Sequence, residues 1–382
     1  MVEATERPLR DDNLSMGPHM GAVRVVAVEQ LGRHAAAWDQ LAALAPLPSP
    51  FLRSWWLSAT AGPHSRFVLV LRGRDEWVEL LGGLAVEERR RGGLRVIQPL
   101  GPDGLAADHL DLLARPGWLT EVQAAIRRWL WRPGSRLIDF PGVAATHRLG
   151  PVLGGRAQTT DFEEAPWTPL PGDFTAFAKA RLPGIMRNSI RRSSNKMNRV
   201  GTLQFRVVRP ADVDRCLATL RELHTAQFSP QSGLIREFDA FSTAARVGVV
   251  RGELQLFELV VGESVVAIDV AFSIGDRFSY YQGGRDTSDR YSGAGTVLMA
   301  RGIEWASDAG YTEVDFLRGT EPYKQLWAAH RRPLQRLRAG VGPGGLAALS
   351  FRKLVDAEAT RRIARRVQDT PIASIRSHRS QR

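Results

Sequence analysis

The sequence predicts a mixed α/β (α+β) protein built from two similar halves, each a mixed, largely antiparallel sheet flanked by helices. Three observations carry this reading. The chain has 382 residues, 43% of them hydrophobic and 24% charged, which is globular composition with length for two cores, since one core rarely grows past ~250 residues. Residues 254–282 hold three β-rich runs parted by Gly262-Glu263 and Gly275-Asp276, the turn chemistry of successive hairpins. A helical period, a turn and a short strand occur in the same order twice, ending at Asp139-Phe140 and at Asp315-Phe316, as an internal duplication would leave them.

In chain order, residues 23–28 read as a strand and 34–44 as a helix with apolar residues at helical spacing. Residues 67–71 and 78–85 follow as strands, and 94–97 is a third after the glycine turn that ends at Gly93. A helix over 119–130 is bounded by Pro116-Gly117 and Pro133-Gly134, and 137–140 is a short strand. The proline-rich stretch 166–171, closed by Gly172, reads as a linker. The second half opens with a basic helix over 183–200, a strand over 202–208 and a helix over 212–226, and then the meander at 254–261, 265–274 and 278–282. A glycine-rich loop leads into a helix over 296–309 that Gly310 closes, followed by a strand over 313–317. The domain reading is a disordered lead at 1–21, an N-terminal domain at 22–165, a C-terminal domain at 166–345 and a basic helical tail at 346–382.

Cys216 is the only cysteine, so an intramolecular disulfide and a cysteine-rich metal site are both excluded, and its helical setting suggests a buried spectator thiol. The eight histidines show no paired ligand spacing, so no metal is expected. No apolar run approaches the ~20 residues of a membrane span, and the first residues are polar where a signal peptide would be apolar. A cytoplasmic protein is the expectation. The net charge of +12 suits an anionic partner, whether nucleic acid, a phosphorylated cofactor or a membrane surface, but the basic residues are almost all arginine, which codon usage in a GC-rich genome explains equally well.

The most informative stretch runs from Asp289 to Thr296, between the last meander strand and the next helix, and contains Arg290-x-x-Gly293-Ala294-Gly295. Glycines there let backbone N–H groups approach a diphosphate, and the helix beginning at Thr296 adds orphan donors and the positive end of its dipole. A cradle after an antiparallel meander is not the first turn of a parallel βαβ unit, which disfavours a Rossmann site. With these residues in place the sequence resembles the GNAT acyltransferases, whose coenzyme A pyrophosphate motif is Gln/Arg-x-x-Gly-x-Gly/Ala at such a turn. Residues 314–327, from Val314 through Arg318-Gly319 and Tyr323-Lys324 to Trp327, resemble the signature of the CelD/BcsL-type (cellulose-biosynthesis) acetyltransferase branch, which is similar to the Fem aminoacyl transferases. Pro50-Phe51-Leu52 with Trp55, the run from Asp108 to Asp111, and the helix with Arg187-Asn188 and Arg191-Arg192 match that branch more loosely.

The resemblance implies tandem GNAT-like domains, of which the first is degenerate because it lacks Arg-x-x-Gly-x-Gly. It implies acetyl-CoA or another acyl-CoA as co-substrate, a small-molecule acceptor attacked directly, and a tyrosine as the acid that protonates the leaving thiolate, here Tyr323. Asp315, Arg318, Glu321 and Lys324 crowd the end of the last strand as base or acceptor candidates, although Arg318 with Glu321 would also serve as an ion pair ordering the loop. Asp269, in an otherwise apolar strand, needs a partner or carries a raised pKa suited to a base. Tyr281 and Gln282 are candidates for the donor pocket, with Arg290, Gly293, Ala294, Gly295 and Thr296 as its phosphate cradle. Asp108 and His109 form a polar knot that would reach an acceptor or merely hold a turn. Arg187, on a helix with a positive stripe, suits phosphates of the coenzyme, of a sugar acceptor or of tRNA. Basicity also keeps open aminoacyl transfer from charged tRNA, whereas a non-catalytic nucleic-acid protein would rest on basicity alone, with no recognised binding motif.

Overall fold

In the computed structural model, which describes residues 23–73, 78–319 and 321–368, the strands of both halves join a single sheet of 13 strands. The expected lead at 1–21 lies outside the described residues, as do the side chains of Arg361, Arg362, Arg365 and Arg366. The first half contributes β1 (Val23–Val28), α1 (Ala35–Ala43), α2 (Ser54–Thr60), β2 (Ser65–Arg72), β3 (Glu79–Arg91), β4 (Leu94–Pro99), β5 (Leu113–Ala114), α3 (Leu119–Leu130), β6 (Arg136–Ala144), α4 (Gly150–Leu153) and β7 (Gln158–Pro169). The second contributes α5 (Phe174–Arg181), α6 (Gly184–Val200), β8 (Leu203–Val207), α7 (Val213–Phe228), α8 (Gly233–Arg236), α9 (Phe238–Val250) and β9 (Leu254–Val261). It continues with β10 (Ser264–Ile274), β11 (Arg277–Arg285), α10 (Ala294–Asp308), β12 (Glu313–Asp315), α11 (Pro322–Trp327), β13 (His330–Val341) and α12 (Gly342–Gln368).

Elements with a clean apolar period form where expected. Helix α3 buries Val122, Ala125, Ile126, Trp129 and Leu130, one stripe of a 3.6-residue period, with Glu121 in its first turn and Arg127 and Arg128 in its last to complement the dipole. The meander β9–β10–β11 is antiparallel throughout. The segment expected as a linker is instead the end of β7, a central strand. Proline is rare in such strands because it lacks an N–H, yet the carbonyl of Pro166 accepts from Phe316 N–H at 2.8 Å and the carbonyl of Trp167 from Ala329 N–H at 3.0 Å.

The strand order is β1-β2-β3-β4-β6-β13-β7-β12-β11-β10-β9-β8. Each half is an antiparallel meander, a crossover helix and a parallel strand: β4 with β6 across α3, and β11 with β12 across α10. The next strand then leaves its own half. β7 follows β6 in the chain but pairs with β12, and β13 follows β12 but pairs with β6. The two exchanged strands pair with each other from His330↔Trp167 to Arg338↔Gln158, so the order reads identically from either edge to a pseudo-two-fold at β7/β13.

The halves also share core. Phe51, Trp55 and Trp56 pack on Phe272 and Tyr281 of the second half, with Phe272 and Tyr281 ring centroids 4.9 Å apart and Trp56 edge-on to Phe272 at 5.5 Å.

Candidate active site

β11 and β12 run parallel only from Arg277↔Glu313 to Ser279↔Asp315. β12 then ends while β11 continues to Arg285, and a cleft of about 1160 Å³ opens where the strands part. The first half has the same geometry at β4 and β6, paired from Arg95↔Arg136 to Ile97↔Ile138. There the gap is filled by the chain itself: Leu110 N–H donates to Gly142 O at 3.0 Å and its carbonyl accepts from Ala144 N–H at 3.4 Å.

One wall of the cleft is the start of α10. Gly293 is its N-cap residue at φ 87°, a conformation glycine adopts freely, and a Cβ there would run into Ser193 Oγ of α6. The first intrahelical bond is Val297 N–H to Gly293 O, and no side chain caps the turn, so the amides of Ala294, Gly295 and Thr296 have no intrahelical acceptor. Gly293, Gly295 and Thr296 line the cleft, whereas Ala294 is fully buried in the core. Arg290 does not line it; the residue is exposed on a short turn with its guanidinium 5.3 Å from the Tyr291 ring. The cation against the glycines is Arg285, whose Cδ lies 3.1 Å from where a Cβ on Gly295 would stand. Gln282 and Tyr281 both line the cleft, but the Tyr281 hydroxyl donates to Leu105 O at 2.7 Å, so it anchors the first half.

Deeper in the cleft lies Asp269 on β10, 6% exposed, accepting a hydrogen bond from the Tyr280 hydroxyl at 3.1 Å. Burial pushes its carboxyl up to about 8, against the Tyr280 hydrogen bond that pulls it down. Gly283 makes the pair possible, since a Cβ there would stand 2.6 Å from Asp269 Oδ1 and 3.0 Å from the Tyr280 hydroxyl. Tyr323, on α11, meets Tyr280 edge-on with centroids 6.4 Å apart. Its phenol is pushed above the usual range by burial and then by Glu321 and Asp269, so it keeps its proton. His224 also lines the cleft with both ring nitrogens engaged, Nδ1 to Gly283 O at 2.7 Å and Nε2 to Ser232 Oγ at 3.0 Å, and burial lowers its pKa. That histidine ties α7 to β11.

Residues 185–325 match the family model described as an acetyltransferase (GNAT) domain. That stretch of the chain is similar to a GNAT acetyltransferase domain. The match runs from α6 to α11 and takes in α10, Asp269 and Tyr323. Among solved structures the chain is similar to FemX, with TM-score 0.57 and 10% identity over 80% of this chain and 95% of that one. It is also similar to a conserved protein of unknown function from Bacteroides thetaiotaomicron, with TM-score 0.50 and 14% identity over 80% of this chain and 97% of that one. At these identities the likeness concerns the fold. No curated protein matches the chain.

The matched segment meets the first half beneath the loop after β12. His109 Nε2 lies 2.9 Å from Asp315 Oδ2, and Asp315 also accepts from Leu317 N–H at 2.7 Å and from Arg332 at 3.2 Å. Asp108 accepts from Arg318 N–H at 2.5 Å. Asp108, His109 and Asp315 are all buried, and none of them lines the cleft, so they brace its floor from behind. Burial opposes charge on His109, but Asp108 and Asp315 outweigh it and raise its pKa. Burial likewise opposes charge on Asp315, yet His109, Arg277 and Arg332 hold it at about 2. Asp108 is raised, by burial first. Lys324 lines the cleft with its ammonium on Arg318 O at 2.6 Å and Glu321 at 3.0 Å, and Glu321 and Arg318 line it beside Lys324. The ion pair expected between Arg318 and Glu321 is thus made by Lys324. Arg187 is outside the cleft, donating to the carbonyls of Ala178, Lys179 and Leu182 at the end of α5, where a helix leaves acceptors unpaired. α6 turns Ile185, Met186 and Ser189 to the cleft instead.

Cys216 is buried with its thiol pushed up by burial, away from nucleophilic chemistry. Among the described residues no cluster has the make-up of a metal site, and no helix is long and apolar enough to cross a membrane.

Proposed function

We propose that the protein transfers an acyl group, acetyl in the simplest case, from acyl-CoA to an amine or hydroxyl of a small polar acceptor by direct attack. The observation that carries this is the juxtaposition, across one cleft, of an uncapped helix start and a buried carboxyl with a pKa of about 8. The residues fit a phosphorylated coenzyme: the free amides of Gly295 and Thr296, the missing side chains at Gly293 and Gly295, and the Arg285 guanidinium together make an anion cradle. The cleft is larger than the ~300–1,000 Å³ of most small-molecule sites, which suits two substrates held at once.

Bound acyl-CoA supplies an activated acyl carbon. Asp269, ionised above a pH of about 8, accepts the proton of the attacking amine, and Tyr280 holds its carboxylate in place. Tyr323, protonated throughout the working range, gives a proton to the leaving sulfur. Residues 166–345 act as the donor domain, and residues 22–165, whose own gap Leu110 fills, shape the acceptor side through Asp108 and His109.

The test is calorimetric titration with acetyl-CoA and coenzyme A, using Thr296→Glu as control because it places a carboxylate among the free amides without disturbing a left-handed residue. Saturable binding that Thr296→Glu weakens at least tenfold is expected. If the wild type does not bind either ligand, the coenzyme reading fails. The net charge of +12 and the likeness to FemX then favour aminoacyl-tRNA as donor, read from the salt dependence of tRNA binding.

A further inference from the structure

Around Arg318 the loop after β12 is tied down through its backbone. Leu317 N–H donates to Asp315, Arg318 N–H to Asp108, and Gly319 N–H to Glu164 O at 3.1 Å, while the Arg318 carbonyl accepts from Lys324. Leu317 is held at φ 53°, a left-handed conformation that a β-unbranched residue other than glycine rarely takes. Two acidic side chains from opposite halves and one buried lysine thus fix a single residue's position. That residue is Arg318, half-buried and lining the cleft.

Its guanidinium makes no hydrogen bond or ion pair among the described residues. It lies 5.5 Å from the ring of Phe162 on β7, a flat apolar shelf that orients the fork without neutralising it. The contrast with its neighbours is sharp: Lys324 is paired with Glu321, Arg332 with Glu313 and Asp315, and Arg336 with Asp139. A half-buried guanidinium gives up part of its hydration, and holding it unpaired costs stability unless a ligand completes it. The other unpaired guanidinium in the cleft, Arg285, lies against Gly295 and serves the donor cradle. Arg318 lines the same cleft as Asp269 and Tyr323.

We infer that Arg318 is the anion-binding residue of the acceptor subsite, and that the acceptor is an amine carrying an oxyanion group, carboxylate or phosphate. Its planar fork accepts either through two parallel N–H···O bonds, and the acceptor's amine is thereby held at a set distance from Asp269. This deepens the acyltransfer reading and rests on it for the role of Asp269, but not for the binding of the anion.

The experiment uses matched probes and the full-length protein: β-alanine against 3-aminopropanol for carboxylate, and O-phosphoethanolamine against ethanolamine for phosphate. Binding to wild type, Arg318→Lys and Arg318→Leu is read by calorimetry without donor, with coenzyme A titrated into the same samples and melting curves to check that each variant folds. At least one anionic probe should bind more tightly than its neutral partner. Arg318→Leu should weaken that probe on the order of 10- to 100-fold, the worth of a hydrogen-bonded charge, with Arg318→Lys between the two. Whichever anion binds identifies the source, carboxylate or phosphate. If neither anionic probe outbinds its neutral partner, or if Arg318→Leu weakens both members of a pair alike, the inference is wrong whatever coenzyme A does. Loss of coenzyme A binding with the anion preference intact would instead strike the acyl-CoA reading alone. In turnover with acetyl-CoA, Arg318→Leu should raise KM for the anionic acceptor more than it lowers kcat.

Discussion

In the proposed reaction Asp269 sets rate and stability in opposite senses. Its carboxyl, raised to about 8 chiefly by burial, must lose its proton to act as a base, so turnover should climb with pH through about 8. Asp269→Asn should lower kcat by about 10²–10⁴-fold and remove that limb of the profile, as stopped-time assays from pH 6 to 9.5 would reveal. The stability sign is opposite. A carboxyl whose folded pKa lies above its unfolded value contributes fully below the unfolded pKa of 3.8 and loses that contribution as pH rises towards about 8. Asn, which never ionises, should therefore give the higher melting temperature at pH 8–9, with the gap closing towards pH 5. A variant that melts lower at every pH would assign Asp269 to packing. At this scale the sequence was partly legible: a lone acid in an apolar strand marks itself, as the buried Asp269 did, and the place of Tyr323 after β12 puts it in the cleft. Which arginine faces a cleft does not follow from spacing. Arg290 fits the motif but lies on its outer turn, and Arg285, with no motif around it, took the inner position.

The bracing between halves belongs to the element scale, where the loop after β12 depends on the turn at Asp108 and His109. His109 carries a raised pKa and Asp315 a lowered one, so their attraction is present above the unfolded aspartate value of 3.8 and below the unfolded histidine value of 6.5. It fades as pH rises through the raised histidine pKa or falls towards about 2. His109→Gln should cost up to roughly 3–5 kcal/mol, the range for breaking a buried pair, and Arg332 and Arg277, which also face Asp315, should keep it near the lower end. Denaturant midpoints at pH 5.5 and 8.5 check this, the larger loss being due at pH 5.5; an equal loss at both would mean that His109 acts by shape alone. The same elements explain what patterning missed. β7 and β13 are central strands held largely by ion pairs, Arg331 to Glu164, Arg332 to Glu313, and Arg336 and Arg338 to Asp139, with a short apolar alternation only at Leu337, Ala339 and Val341. A reading that searches for alternating hydrophobics passes over strands stapled by ion pairs, and Pro166 and Pro333 disguise them further. Strands and helices with ordinary cores, β9 and α3 among them, were legible almost to the residue.

At the scale of the whole molecule, the exchange of β7 and β13 decides what can fold alone. The echo between Asp139-Phe140 and Asp315-Phe316 was a trace of the pseudo-two-fold, because both pairs sit where the parallel pairing of β6 with β4 and of β12 with β11 gives out, beside the exchanged strands. The exchange itself joins residues hundreds of positions apart, and no local pattern reports it. Each half therefore completes the other's sheet, and Phe51, Trp55 and Trp56 complete the core beneath Phe272 and Tyr281. A chain stopped at residue 329 keeps all of the matched domain at 185–325 and every cleft residue, yet it leaves β6 and β7 with bare edges in the middle of the sheet. Such edges pair with other chains, so this truncation should be aggregated or unfolded, as size-exclusion chromatography and circular dichroism would show. The second-half fragment 166–382 should fail in the same way, because β13 loses all of β6 and residues 158–165 of β7. If either piece were soluble, cooperatively melting and able to bind coenzyme A, the two halves would be separable domains, and the sheet's central strands would contribute far less than their hydrogen bonds and ion pairs require.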